Sequence, residues 1–270
     1  MKITSRDNSL LRQVRAVRDG KIDDLIFIEG LRLCEEARLS QLEIEAVIVS
    51  EELLRKDRAA TVIDEIVAVS NRVASVSEKL LESVSYTKTP QGIIVLAQRP
   101  ESSEERLTAS LNDNSLLVVL HQINNPVNVG AILRTAEAAG ASGVITTKTT
   151  SDPYSPKSLR GAMGSAFRLP LWTGPDYSET IAWCRRRGIT TVCADLDASV
   201  SYTQLDWTKP CALLLGPEST GFTVEELSEA NQRVSIPMKG AVESLNVSVA
   251  AGVLLFEAAR QRGQGRKQEQ

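Results

Sequence analysis

Residues 116–123 read LLVVLHQI and residues 210–216 read PCALLLG. Each is a continuous apolar run, where a half-buried strand would alternate apolar and polar side chains. Such runs belong to parallel strands covered on both faces. GVITT (143–147), LPLW (169–172), ITTVCADL (189–196) and RVSIPM (233–238) read as further strands. Between them lie helical patterns at NVGAILRTAEAAG (128–140), SPKSLRGAMGSAF (155–167), YSETIAWCRRRG (177–188) and TVEELSEAN (223–231), two of them closed by glycine. Alternation of this kind predicts an α/β domain on a parallel sheet over residues 116–262. Its last helix, from Val247 to Ala259, is apolar almost all round and is expected to be buried on every side.

Residues 1–98 form a separate, smaller block. LIFIEGLRLCEEARLS (25–40) runs from a short strand through Gly30 into a helix, IEAVIVS (44–50) follows as a strand, and QGIIVLAQR (91–99) closes the block. These elements predict a small α/β domain. The polar stretch RPESSEERLTASLNDNS leads from it to the second block, and residues 99–115 read as a linker. The final GQGRKQEQ (263–270) reads as a disordered tail.

Bulk composition narrows the function classes. At 42% hydrophobic and 24% charged residues, the chain has the makeup of a globular protein. No apolar stretch approaches the ~20 residues that cross a bilayer, and the polar opening MKITSRDNSLLRQVR has no signal-peptide core. Its 4 cysteines are scattered, without a C-x-x-C pair. That argues for a reducing, cytoplasmic setting and against a structural zinc site. The single histidine, His121, leaves little room for histidine-based metal or triad chemistry and reads as structural. Net charge is −3, but Lys2, Arg6, Arg12, Arg15, Arg18 and Lys21 crowd the first 21 residues against Asp7 and Asp19. This is either a solvated helix face or a phosphate-contacting one.

In open parallel sheets, ligands gather at the carboxyl ends of the strands. Three polar segments fall there. In NNPVNVGAILRTAEAAG (124–140), Asn128 is placed to cap a helix. Arg134 points away from the face of Ile132, Ala136 and Ala139, either into an ion pair with Glu137 or into a site. In ALLLGPESTGF (212–222), Gly216 lets backbone approach a ligand, Gly221 permits the next turn, and Glu218 supplies a carboxylate. No G-x-G-x-x-G or Walker lysine accompanies them. In RVSIPMKGAVESLNVS (233–248), Ser244 reads as a helix N-cap, but IPM and SLN carry more polarity and shape than a cap requires.

Together, N-x-x-x-x-x-R, L-G-x-E-x-x-G and I-P-M-x-x-x-x-x-S-L-N-V-S-x-A, in that order, resemble the signature motifs of the SpoU (TrmH-like) class of SPOUT RNA methyltransferases. GAMGSAFRLPLW (161–172) is similar to the segment between the first two motifs. ITSRDNSLLRQVRAV, IFIEGLRLCEEA and YTKTPQGIIVLA resemble the substrate-binding domain of the two-domain members. The resemblance implies an L30e-like α/β domain followed by a parallel-sheet SPOUT domain threaded into a trefoil knot. It further implies a homodimer with no metal and no membrane. The implied activity is transfer of a methyl group from S-adenosylmethionine to a ribose 2′-hydroxyl of RNA, ribosomal RNA being favoured over tRNA.

Carried onto this chain, the family pattern sets the cofactor against Leu215, Gly216, Ile236, Met238, Leu245 and Asn246. Arg134 matches the catalytic arginine, with Asn128, Glu218, Ser244 and Asn246 fixing the site and the nucleotide. Because a guanidinium has a pKa above ~12, Arg134 is expected to orient the ribose and stabilise developing alkoxide charge. Two features depart from the pattern. DGKIDDLIFIEG (19–30) is less basic than in relatives, and Pro217 precedes Glu218 where asparagine or glycine is usual. A non-catalytic RNA-binding relative would lack Arg134, Ser244 or Asn246, and all are present.

Overall fold

A computed structural model describes residues 1–55 and 57–265. The chain divides into two compact units, one built from Met1–Pro100 with Pro153–Arg168, the other from Glu101–Asp152 and the chain from Leu169 onward.

In the first unit, α1 (Ser9–Arg18) is opened by Asn8, whose side chain accepts from the Leu10 N–H at 2.9 Å. Leu10, Leu11, Val14 and Val17 recur on one face and are buried, which is the spacing that seats a helix on a core. β1 (Leu25–Glu29), α2 (Leu31–Leu39), β2 (Ile44–Ser50), α3 (Asp57–Ala68), β3 (Ser70–Val76), α4 (Glu78–Glu82) and β4 (Ile93–Gln98) follow. The sheet order is β1-β4-β2-β3; β4 runs antiparallel to β1 and β2, and β3 is parallel to β2. Strand β3 is an addition to the sequence reading. Its SNRVASV is mostly polar and only Ala74 and Val76 are buried, as suits a strand at a sheet edge. Phe27, Ala46, Ile48, Ile94 and Leu96 meet the apolar face of α1 in the core. The buried Glu29 carboxylate accepts from the Tyr86 N–H at 2.8 Å and from the Thr87 hydroxyl at 2.5 Å, so it ties IEG to YTKTPQG.

The second unit opens with α5 (Glu104–Ala109), inside the stretch expected to be a linker. Ser103 accepts from the Arg106 N–H, Leu107 is fully buried, and Glu104 accepts from the Trp183 indole N–H at 2.7 Å. The chain continues through β5 (Leu116–Leu120), α6 (Pro126–Ala138) and β6 (Gly143–Thr146). It then contributes α7 (Pro156–Ala162) and α8 (Ser165–Arg168) to the first unit before returning as β7 (Leu171–Thr173). α9 (Tyr177–Arg186), β8 (Thr190–Ala194), β9 (Cys211–Leu215), α10 (Val224–Glu229), β10 (Gln232–Val234) and α11 (Val247–Gly265) complete it.

All neighbours in the sheet β10-β8-β9-β5-β6-β7 are parallel, and every residue of β5 and β9 is buried. Strand order reverses between β5 and β9, and that switch point opens a crevice at their carboxyl ends. β10 is shorter than RVSIPM suggests: after Val234 only a bridge from Ser235 to Ser201 remains, and Pro237 has no N–H for a ladder. Helix α11 differs from its expectation as well. Ala251, Leu254, Leu255 and Ala258 are buried, while Val249 and Phe256 are 51% and 53% exposed. It extends to Gly265, into the stretch read as a tail; residues 266–270 of that stretch lie outside the described residues.

Candidate active site

Three loops of the second unit converge on the crevice. The first leaves β5 and enters α6. Asn125, not Asn128, is the N-cap: its side chain accepts from the Val127 N–H at 3.0 Å, and Pro126 takes the first helical position, where a missing N–H costs nothing. Asn128 therefore sits inside the first turn, 6% exposed, with its amide turned into the crevice. Six residues on, Arg134 lies on another face of α6, exposed, with no hydrogen bond or ion pair to the described residues, so of the two alternatives the ion pair with Glu137 does not form.

The second loop, Gly216–Thr223, joins β9 to α10. At Gly216 an added Cβ would lie 2.8 Å from the Phe222 ring, so only glycine allows this approach. Gly221 takes φ +65°, and its N–H donates to the Pro217 carbonyl at 3.0 Å. Thr223 and Glu226 form a capping box at the start of α10. The third loop, 235–246, returns from β10. Its N-cap is Asn246, not Ser244: the Asn246 side chain accepts from the Ser248 N–H at 2.9 Å and its carbonyl from Val249 and Ala250. The helix starts at Val247, which leaves Ser244 exposed and outside the cap.

These loops are joined side chain to side chain. The Asn128 amide donates to Glu218, and the Asn246 amide donates to the Asn128 oxygen at 3.4 Å. Around this junction lies a cleft of about 1080 Å³. One wall is apolar, from Leu215, Ile236, Met238, Leu245 and Val247, and Gly216 lies among them; Glu218, Ser219 and Ser244 give it polar edges. Of the residues singled out in the sequence, Asn128, Leu215, Gly216, Glu218, Ile236, Met238, Ser244, Leu245 and Asn246 line it, and Arg134 does not. Asp195 and Asp197, just beyond β8, also line the cleft, and Asp195 is ion-paired with Arg233. Their signal in the sequence was a pair of carboxylates at the carboxyl end of a predicted strand.

The model of the SpoU rRNA Methylase family matches residues 115–256. The chain belongs to the SpoU rRNA methylase family. Residues 10–95 of this SpoU methylase match the MRM3-like substrate binding domain. The 23S rRNA (guanosine-2′-O-)-methyltransferase RlmB of Pseudomonas syringae pv. tomato is 38% identical over 181 residues, covering 66% of this chain and 72% of the relative. The 23S rRNA (uridine(2479)-2′-O)-methyltransferase of Streptomyces viridochromogenes is 32% identical over 202 residues, covering 73% and 70%. Among solved structures, the AdoMet-bound rRNA methyltransferase from Sinorhizobium meliloti superposes with a TM-score of 0.83 at 31% identity, covering 96% of this chain and 97% of that one.

His121, at the end of β5, is 4% exposed and hydrogen-bonded through both ring nitrogens. Nearby, burial pushes the Cys193 thiol up to about 12 and raises the Tyr177 hydroxyl as well, so both stay protonated at neutral pH. Among the described residues of this SpoU methylase, no group of three or more His, Cys, Asp or Glu side chains could hold a metal ion. No helix among them is long and apolar enough to cross a membrane.

Proposed function

We propose that this chain is an S-adenosylmethionine-dependent RNA methyltransferase that acts on a ribose 2′-hydroxyl, with ribosomal RNA as its substrate class. The observation that carries this reading is the junction of Asn128, Glu218 and Asn246 beside the apolar wall of Leu215, Ile236, Met238 and Leu245. Relatives named as 23S rRNA 2′-O-methyltransferases, and a structural neighbour with AdoMet bound, support the substrate and the cofactor.

The cleft fits the cofactor on its own chemistry. An adenine and a thioether chain need an apolar wall with reachable main chain, which Gly216 and its neighbours provide. A cationic sulfur is favoured by the carboxylates of Glu218 and Asp197, while that of Asp195 is already paired with Arg233. When bound, S-adenosylmethionine supplies an already activated methyl group. What remains for the protein is to align a weakly nucleophilic hydroxyl and manage its charge.

Glu218 is engaged with Asn128, so its role is to hold that amide in place. Asn128 and Asn246 set the floor on which the nucleotide lies, and the exposed Ser244 contacts it from the rim. Arg134 orients the ribose and stabilises the oxyanion. In one copy it is exposed and away from the cleft, so we assign it to the cleft of a second copy in a homodimer. Val249 and Phe256 on α11, with the 44%-exposed Val127 on α6, supply an apolar surface for that contact. The chain's return from the edge strand β10 to the mouth of β5 and β9 supports a trefoil-knotted second unit. The first unit binds RNA, and the protein works in the cytoplasm.

The test is a map of ribose 2′-O-methylation across rRNA and tRNA in a deletion strain and its complemented parent. Loss of a methyl group from one rRNA position, restored by the gene, is expected. A change confined to tRNA would replace the substrate class; no change, with no binding of S-adenosylmethionine by the purified protein, would overturn the activity.

A further inference from the structure

The loop Gly216–Thr223 forms part of the cleft yet holds itself together with few bonds. Within it, the Gly221 N–H donates to the Pro217 carbonyl and the Thr220 hydroxyl donates to the Gly221 carbonyl. Besides the Asn128–Glu218 bond at its rim, its placement comes from what lies beneath, and His121 lies beneath. The His121 backbone N–H donates to the Leu215 carbonyl at 2.9 Å, just before the loop begins. Its Nε2 is 2.9 Å from the Glu226 carboxylate, which also accepts from the Thr223 N–H at 2.8 Å, at the point where the loop ends. Its Nδ1 is 3.0 Å from the Thr147 hydroxyl at the end of β6.

The ring completes the fixture. Phe222 is stacked on it, with centroids 5.9 Å apart and planes 7° from parallel, and Tyr177 tilts against both rings. Phe222 is the side chain that a Cβ on Gly216 would strike. His121 thus holds both ends of the loop, one through its backbone and the other through its ring, and the ring backs the aromatic side chain that lies against the loop's glycine.

We propose that His121 is a positioning residue for methyl transfer: through Glu226 and Phe222 it sets the backbone of the Gly216–Thr223 loop for the cofactor, without touching cofactor or RNA itself. The assignment rests on the methyltransferase reading above. It separates His121 from a mere core residue, because a core residue would affect stability and leave the balance between cofactor affinity and turnover alone.

The experiment is calorimetry and steady-state kinetics with S-adenosylmethionine on the full chain and four variants. His121→Phe keeps a ring beneath Phe222 but loses the bonds to Glu226 and Thr147. It is expected to raise the cofactor Kd and KM about tenfold, the weight of one to two hydrogen bonds, while kcat at saturating cofactor falls less than about twofold. His121→Gln, whose amide reaches toward Glu226, is expected to recover most of the affinity. Glu226→Ala, which also loses the capping-box bond from the Thr223 N–H, should cost at least as much as His121→Phe. The double variant should be no worse than Glu226→Ala by more than about twofold, because the link between the two residues is already broken in it. Hydrogen exchange of the ligand-free protein should show faster exchange at residues 216–227 in His121→Phe than in the unaltered chain. Equal Kd for the unaltered protein and His121→Phe, or additive losses in the double variant, would overturn the positioning role alone. Failure of the unaltered protein to bind S-adenosylmethionine would overturn the methyltransferase reading and this role with it.

Discussion

The amide of Asn128 donates to the carboxylate of Glu218, 90 residues further along the chain. The Asn128 oxygen, at the same time, accepts from Asn246 at 3.4 Å. One side chain thereby holds together loops that follow β5, β9 and β10. An amide suits this place because it donates on one side and accepts on the other. A carboxylate at 128 would face Glu218 with no proton to offer. Asn128→Asp is therefore expected to lower methyl transfer more than Asn128→Ala does, and Glu218→Gln is expected to recover part of the loss in the Asp variant. For Asn128→Ala a reduction on the order of 10- to 100-fold is expected, the weight of two hydrogen bonds in a site that must be pre-aligned. Initial rates with saturating RNA and cofactor check the ranking.

Arg134 sits on the exposed side of the helix that carries Asn128, outside the cleft of its own chain. Arg134→Ala should reduce transfer by more than about a hundredfold, as loss of a charge stabilising a developing oxyanion does, and leave cofactor Kd within a few-fold. Its placement also allows a mixing test. Gly216→Val, whose side chain would strike Phe222, should be inactive because its cleft cannot accept cofactor. If Arg134 serves a partner's cleft, unfolding and refolding the two inactive variants together should restore roughly a quarter of the activity, through mixed dimers carrying one intact site. No recovery would place Arg134 elsewhere.

Much of this fold was legible because its strands are buried on both faces. LLVVL and CALLL have no polar residue to mislead, and they became the central pair of the sheet. β3 was not legible, because SNRVASV lies at an edge and carries the polar residues an edge tolerates. Both caps were misplaced by a few residues. At α6 the deciding signal was Pro126, which favours the residue before it, Asn125, as N-cap. At α11 it was the short reach from the Asn246 side chain to Ser248. The motif residues around the cleft could be named from their pattern, but their joining through Asn128 depends on distances that no spacing encodes. Exposure of Val249 and Phe256 was hidden too, since an apolar period cannot say which face lacks a neighbour within one chain.

Near its end, α11 is fastened by the guanidinium of Arg262, beside the bonds that Gln261 makes to Leu205 and Trp207. Arg262 donates to the Lys209 carbonyl at 2.7 Å, to the Asn114 side chain at 2.9 Å and to the Asn114 carbonyl. These acceptors lie in the loops that lead into β9 and β5. Arg262→Ala leaves them without a charged donor and is expected to destabilise the protein by about 2–3 kcal/mol, seen as a lower urea midpoint with little change in slope. Arg262→Lys should recover less than half, because an ammonium cannot span the acceptors as a planar fork does.

The buried thiols make a prediction about pH. Burial pushes Cys184 and Cys193 up to about 12 from an ordinary value of 9.0. Between those values the unfolded chain has released the proton and the folded chain has kept it. The folded state then binds more protons, and stability must fall as pH rises. The contribution is fully present below about pH 9 and is lost progressively up to about pH 12. The raised Tyr177 hydroxyl acts in the same direction above its ordinary value of 10.0. Urea midpoints measured in reducing buffer should therefore be level from pH 7 to 8.5 and decline by pH 10.5. Cys193→Ala should lower the midpoint at pH 8 through the cavity it opens, yet show a shallower decline toward pH 10.5, because one of the shifted protons is gone. A decline as steep as that of the unaltered protein would mean that Cys193 does not carry this dependence.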